Sequence, residues 1–294
     1  MKSLNRTNVS RLLALILLLA MVGRRVVDPA PLETLRLKTF DLYQLALDPK
    51  PTPQQVIIVD IDEKSLDELG QWPWPRSVLA KIIDKVGQAG AVVVGLDVLF
   101  PEHDRTSPAN VAGIVEAYDK EIADRLRKMK SNDEVFAEAM TRTRVVLGQT
   151  GYHEELKQWH ASELKQSPIA MLGPDPQRFL DTYPGMVRNV PELEAKAQGR
   201  GMVSIRSETD GVLRKMPLVM MAQGKLLPSL SLELLRVATG QTTVLIRSGD
   251  AGVKSVVLAG VAMPTDKNAK AWMHFHAHDP KLFVSAADLL ADRI

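Results

Sequence analysis

Residues 56–102 read VIIVDIDEKSLDELGQWPWPRSVLAKIIDKVGQAGAVVVGLDVLFPE. Two β-branched apolar runs, 56–59 and 91–96, each end in an acidic residue, Asp60 and Asp97. Between them the turn Trp72-Pro73-Trp74-Pro75-Arg76 leads into a segment whose apolar residues Leu79, Ile82, Ile83 and Val86 recur at helical spacing. Short buried strands flanking a helix of this length predict a parallel β-α-β unit. The fold class expected is therefore α/β, a mixed, partly parallel β-sheet flanked by helices. Open parallel sheets bind ligands beyond the carboxyl ends of their strands. Asp60, Asp62, Asp97 and Glu102 fall where a site is expected, with Trp72 and Trp74 beside them.

Each of these side chains has a structural reading beside the chemical one. Asp62 suits the N-cap of a short helix, 63–69, stopped by Gly70. Paired with Asp60 at a strand end, it also suits a hard cation. Each proline of the aromatic turn restricts the residue before it, so Trp72 and Trp74 are stiffly held, either to stack on a ligand or to cap a core. Pro75 suits the first turn of the next helix, and Gly90 its end. Arg76 is poorly placed for the helix dipole. It is expected to be held by Asp60, Asp97 or Glu102, as a lock between loop and sheet or as an anion-binding group.

Upstream, Lys2, Arg6 and Arg11 precede an uninterrupted apolar run, 12–22, closed by Gly23, Arg24 and Arg25. A spanning helix needs about 17–25 mostly apolar residues. The run alone is short, and extending it to 9–27 brings in charges. With no small-x-small cleavage site before the arginines, residues 1–28 are expected to be an uncleaved signal anchor, the alternative being an interfacial or buried helix. Basic residues flank both ends, and those before the segment favour a cytoplasmic N-terminus. That places residues 29–294 outside the inner membrane of a single-pass chain. Residues 29–47 are expected to be helical, with Leu32, Leu35, Thr39, Leu42, Tyr43 and Ala46 on one face; Leu37, Phe40 and Leu45 spread apolar character beyond it, so the helix is expected either to be well buried or to continue from the membrane segment. Pro49, Pro51 and Pro53 make a stiff linker.

Downstream, two charged helices are expected over 110–129 and 133–140, and a strand over 144–152. Residues 153–198 read as a polar, proline-punctuated excursion with little regular sheet. Further strands are expected over 202–205, 212–221, 243–247, 254–262 and 272–276. A helix should run from Pro228 to Gly240. A last one starts near Ser285, with no obvious closing strand after it.

The 294 residues carry 37 basic and 35 acidic side chains, a net charge of +2. That lacks the basic excess of a nucleic-acid binder. With no cysteine, disulfides, thiolate metal sites and cysteine nucleophiles are excluded. No cyclase, kinase or glycine-rich phosphate-loop motif is present, and no cofactor is expected.

Three blocks, in order, resemble one family. They are the opening stretch through LDVLFPE, then GMVSIRSETDGVLRKMPLVMMAQGKLLPSLSLELLR over 201–236, then the terminal FVSAADLL. The chain is similar to the type-two CHASE domain, CHASE2, an extracellular sensory domain associated with cyclases and histidine kinases. Glu208 stands where that family usually has an aspartate. The resemblance implies a non-catalytic, membrane-anchored receptor domain in the periplasm. It would bind an unknown small-molecule or ionic ligand and pass the signal to a cytoplasmic cyclase or kinase output absent from this chain. A homodimer is expected because such outputs work as paired protomers.

Two other readings compete. A membrane-tethered, metal-dependent phosphohydrolase would use Asp60 and Asp62 as metal ligand and nucleophile, with Asp97 joining from the neighbouring strand. His274, His276 and His278 alternate. On a strand they would share one face about 7 Å apart and be weak candidates for a metal; the plainer reading is a solvated polar face.

Overall fold

The computed structural model describes residues 6–27, 30–46, 56–156, 165–208, 210–275 and 277–293, which fall into two compact units. The first holds the helices Arg6–Val27 and Ala30–Ala46 with short segments at 210–212 and around His274. The expected N-terminal helix forms, and its apolar run is exposed along its length. Arg6, Arg11, Arg24 and Arg25 share the helix with that run. Among the described residues, no helix is long and apolar enough to cross a membrane.

The helix Ala30–Ala46 also forms where expected, but it turns its other side inward. Leu37 is buried and Glu33, Phe40, Asp41 and Gln44 are half-buried, while Leu32, Leu35, Thr39, Leu42, Tyr43 and Ala46 are exposed. Within this unit the inward face meets polar neighbours: Gln44 Nε2 lies 3.1 Å from His274 Nδ1. The apolar stripe is the outer one, and the helix is covered on one side only rather than well buried.

In the second unit, three parallel strands form the centre: Val94–Leu96, Val145–Tyr152 and Gly199–Met202, with Val145–Tyr152 in the middle. The helices Arg76–Gln88 and Asn132–Arg142 share one apolar cluster with them, built from Leu79, Ile83, Phe136, Met140, Val145 and Leu147. The expected helical stripe is therefore the buried one here. Helix Asn132–Arg142 starts with a reciprocal capping box, the Glu134 N–H on the Ser131 hydroxyl and the Ser131 N–H on the Glu134 carboxylate, which satisfies two end donors at once. The helix Leu230–Ala238 packs on the strands Gly199–Met202 and Val145–Tyr152. That approach needs glycine: a Cβ at Gly201 would lie 2.3 Å from the Leu230 Cα, and one at Gly199 2.3 Å from the Glu233 carboxylate.

The expected pairing of the first two strands is corrected. Ile58–Asp60 does not pair with Val94–Leu96. It runs parallel to Phe283–Ser285, with Ile58 opposite Phe283 and Asp60 opposite Ser285. That partner strand is three residues long, lies just before the last helix, Ala286–Leu290, and joins the third of the three blocks to the first. A run that short carries no periodicity from which to read it, and an apolar run does not name its partner.

The polar excursion holds little regular sheet among its described residues, as expected. It supplies the strands Ile169–Leu172, Thr182–Tyr183 and Gly185–Val187, the first parallel to Val244–Gly249. The strand expected over 254–262 is a hairpin, Gly252–Leu258 and Val261–Pro264. It turns at Ala259 and Gly260, which both have positive φ, as tight hairpins require. The helix expected over 110–129 is two, Pro108–Val115 and Lys120–Arg127, divided where Asp119 caps the second by accepting the Ile122 N–H. The strand expected at 202–205 is Gly199–Met202, and that at 212–221 divides into Lys215–Pro217 and Val219–Ala222.

Candidate ligand-binding corner

The aromatic turn is anchored at one ring and open at the other. Trp74 is 4% exposed, belongs to the main apolar cluster and donates its Nε1–H to the Gly70 carbonyl at 2.6 Å. Trp72 meets it edge-on, centroids 5.5 Å apart, and is 36% exposed. Of the two readings open for this turn, Trp74 takes the core-capping one, while Trp72 keeps a face in solvent.

Arg76, first residue of the helix Arg76–Gln88, is buried. Its guanidinium pairs with Asp133 Oδ1 at 2.5 Å, bonds the Glu102 carbonyl, and lies 5.2 Å from the Phe100 ring centroid. The expected partners were the carboxylates of Asp60, Asp97 or Glu102. The actual one, Asp133, comes from the start of another helix, 57 residues away, a distance at which sequence carries no pairing signal. Asp133 Oδ2 also accepts the Asp104 N–H at 3.0 Å and lies 3.3 Å from His103 Nδ1.

Asp104 completes the lock. Burial alone would raise its carboxyl pKa, but the bonds it accepts hold it below the usual carboxylate range. They come from the Arg76 N–H, the Thr106 hydroxyl and N–H, and the Asn132 amide. Hydrogen bonds to the charged form outweigh desolvation.

Behind Phe100 lies a second buried network. The Asn189 side chain accepts the Phe100 N–H at 2.9 Å and donates to the Gly148 carbonyl at 3.0 Å. Glu194 accepts from Asn189, from Gln149 at 3.1 Å and from Arg200 Nε at 2.5 Å. Two polar networks thus fix the loop that leaves the strand Val94–Leu96, and the carboxylates of Asp97 and Glu102 stand exposed on that loop.

Asp60 is exposed at the end of its strand. Asp62 is the N-cap of the helix Glu63–Leu69. One of its oxygens accepts the Ser65 hydroxyl at 2.5 Å, the Ser65 N–H at 2.8 Å and the Ser285 hydroxyl at 3.0 Å. The Ser65 bonds chiefly, with help from Ser285, hold its carboxyl below the usual range. Among the described residues, no group of three or more His, Asp or Glu side chains is arranged to hold a metal ion. The joining of Asp97 to Asp60 across neighbouring strands is also corrected, since those strands pair elsewhere.

The histidine run departs from the expected strand, which spans Lys270–Trp272 and ends there. His274 meets Gln44, His278 lies 4.8 Å from the Phe283 ring, and His276 lies outside the described residues. Glu208 is 3.8 Å from Lys215 Nζ, which also lies 3.3 Å from Asp266 and over the Trp272 ring.

The residues that sequence reasoning missed are Asp104, Asp133, Asn189 and Glu194. Only the second had a readable signal nearby, the Ser131-to-Glu134 capping pattern that fixes the start of its helix.

The CHASE2 domain family model matches residues 12–294, essentially the whole chain. No curated protein and no solved structure matches it.

Proposed function

Because the chain belongs to the CHASE2 domain family, a family of sensory rather than catalytic domains, we propose that it is the extracytoplasmic sensory part of a membrane-bound signalling receptor. The family match over 12–294 is the observation that carries this reading. In it, the exposed apolar helix Arg6–Val27 holds the chain at the inner membrane, two copies associate, and a cytoplasmic cyclase or kinase output receives the signal. The signal itself is a difference in ligand affinity between two conformations.

The ligand site proposed is the corner carrying Asp60, Asp62, Trp72, Trp74, Arg76, Asp97 and Glu102. Within that set the roles divide. Arg76, Trp74 and Asp62 are engaged in holding the corner together. Trp72, Asp97 and Glu102 are exposed and able to meet a ligand. Exposed rings and exposed carboxylates each attract positive charge, so the ligand proposed is a cation. The Arg76 charge, spent on Asp133, supports no anion.

Two measurements test this. Alkaline phosphatase fused after residue 294 of the whole chain should be active in a bacterial host, as an exported domain requires; an inactive phosphatase with an active β-galactosidase fusion at the same point overturns the location. Thermal-shift screening should show stabilisation by organic amines or divalent cations, abolished in Trp72→Ala and in the pair Asp97→Asn, Glu102→Gln. Stabilisation by anions that survives those substitutions overturns the corner as the site.

A further inference from the structure

We infer that the exposed stripe of the helix Ala30–Ala46 is one half of a parallel two-helix seam, whose other half is the same helix of a second copy of this chain. Leu32, Leu35, Thr39, Leu42 and Ala46 are spaced by three, four, three and four residues, the spacing of a narrow seam between two helices crossing at a small angle. All five are exposed, Leu35 by 64% and Leu42 by 66%. The residues turned inward, Glu33, Leu37, Phe40, Asp41 and Gln44, are those that a two-helix seam leaves on its outer side. One side of this helix is therefore taken by its own unit, and the side left over has the period of a helix partner.

The polar position in the seam is already satisfied. The Thr39 hydroxyl donates to the Leu35 carbonyl at 2.8 Å, so its methyl can pack without stranding a donor. The flanking residues select the partner and its direction. Arg36 and Lys38 border the stripe on one turn and Tyr43 and Leu45 on the next. In a parallel pair Lys38 faces Tyr43 of the second copy, a favourable cation-on-ring contact, and no two like charges meet. An antiparallel pair centred on Thr39 would bring the two Lys38 side chains together. Lys38 is more than half exposed and its Nζ lies 3.9 Å from Asp210. A membrane surface accepts the same three-four spacing, and crosslinking separates the two occupants, because a helix lying on lipid alone gives no covalent dimer at 35 or 42.

The inference rests on the dimer proposed above and adds where and in which direction it forms. The chain has no cysteine, so single-cysteine variants of the full chain in mild detergent report on one position each. With Cu(II)-phenanthroline, Leu35→Cys and Leu42→Cys should each convert most of the protein to a covalent dimer, while Tyr118→Cys, on the other unit, should not. Leu35→Glu with Leu42→Glu should turn the dimer into a monomer by light scattering with the circular dichroism unchanged. Crosslinking at Thr39→Cys alone indicates an antiparallel pair and overturns the inference. A dimer that neither crosslinks at 35 and 42 nor dissociates in the Glu variant overturns the seam while leaving the dimer standing. A monomeric wild type overturns both.

Discussion

The helices Ala30–Ala46 and Arg76–Gln88 carry apolar residues at the same three-and-four spacing, and the molecule uses them in opposite ways. The second buries its stripe, with Leu79 and Ile83 in the main cluster. The first buries Leu37 and leaves Leu35 and Leu42 in solvent. Periodicity tells that a helix has an apolar face; it does not tell what covers it. Arg76–Gln88 lies between two strands of the chain and has a sheet and a neighbouring helix to pack on. Within its own unit, Ala30–Ala46 has short segments at 210–212 and around His274 beside it and, among the described residues, no sheet.

Four measurements break or sharpen the contrast. The largest effect is expected where the buried helix is tied down. Asp133→Ala strands the Arg76 guanidinium, and urea unfolding should show a loss of about 4 kcal/mol, the scale of a broken buried ion pair; a loss below ~1 kcal/mol would mean that water reaches the corner. Next is Ile83→Ala, which empties a fully packed position and should cost about 3 kcal/mol.

Third is a dependence on acid. Asp62 and Asp104 have folded pKa values below their unfolded ones. They bind fewer protons when folded, so their contribution is complete above the ordinary carboxylate pKa of about 4 and is lost as pH falls through the lower folded values. Unfolding measured between neutral pH and pH 3 should show stability falling at the acid end. Ser65→Ala should flatten that slope by removing the hydroxyl bond to Asp62 while the backbone N–H bond stays, and should also cost stability at neutral pH by about 1–3 kcal/mol, because the buried Ala287 N–H loses the Ser65 hydroxyl. The smallest effect is expected at the contrasting helix. Leu42→Ala, measured on monomer, should change stability by less than ~0.5 kcal/mol. A loss like that of Ile83→Ala would show that its stripe is covered within one chain.

Much of the frame is legible in the residues. Asp62 as a cap, Gly70 and Gly90 as stops, and the helix after Pro75 follow from local rules, because each depends on neighbours within four or five residues. Trp74 as a core cap was one of two open readings. What escaped depends on distant partners. Three-residue strands such as Phe283–Ser285 have too few side chains to show a pattern, and Ile169–Leu172 gains its order from an apolar partner, not from its own composition. Asp133 and Glu194 look like surface acids in sequence, being on helices rich in charge. They are buried because Arg76 and Arg200 reach them.

For this protein, sequence alone determined that an α/β domain follows a basic, apolar N-terminal helix, and that residues 56–102 form a stiff corner carrying acidic and aromatic side chains. Those are consequences of local period, capping and backbone restriction. Tertiary structure alone decided that Ile58–Asp60 closes on the end of the chain, that Arg76 is spent on Asp133, and which face of Ala30–Ala46 looks outward. Each of these is a choice among partners far apart in the chain, made by burial and hydrogen bonding over the whole fold rather than by any one segment.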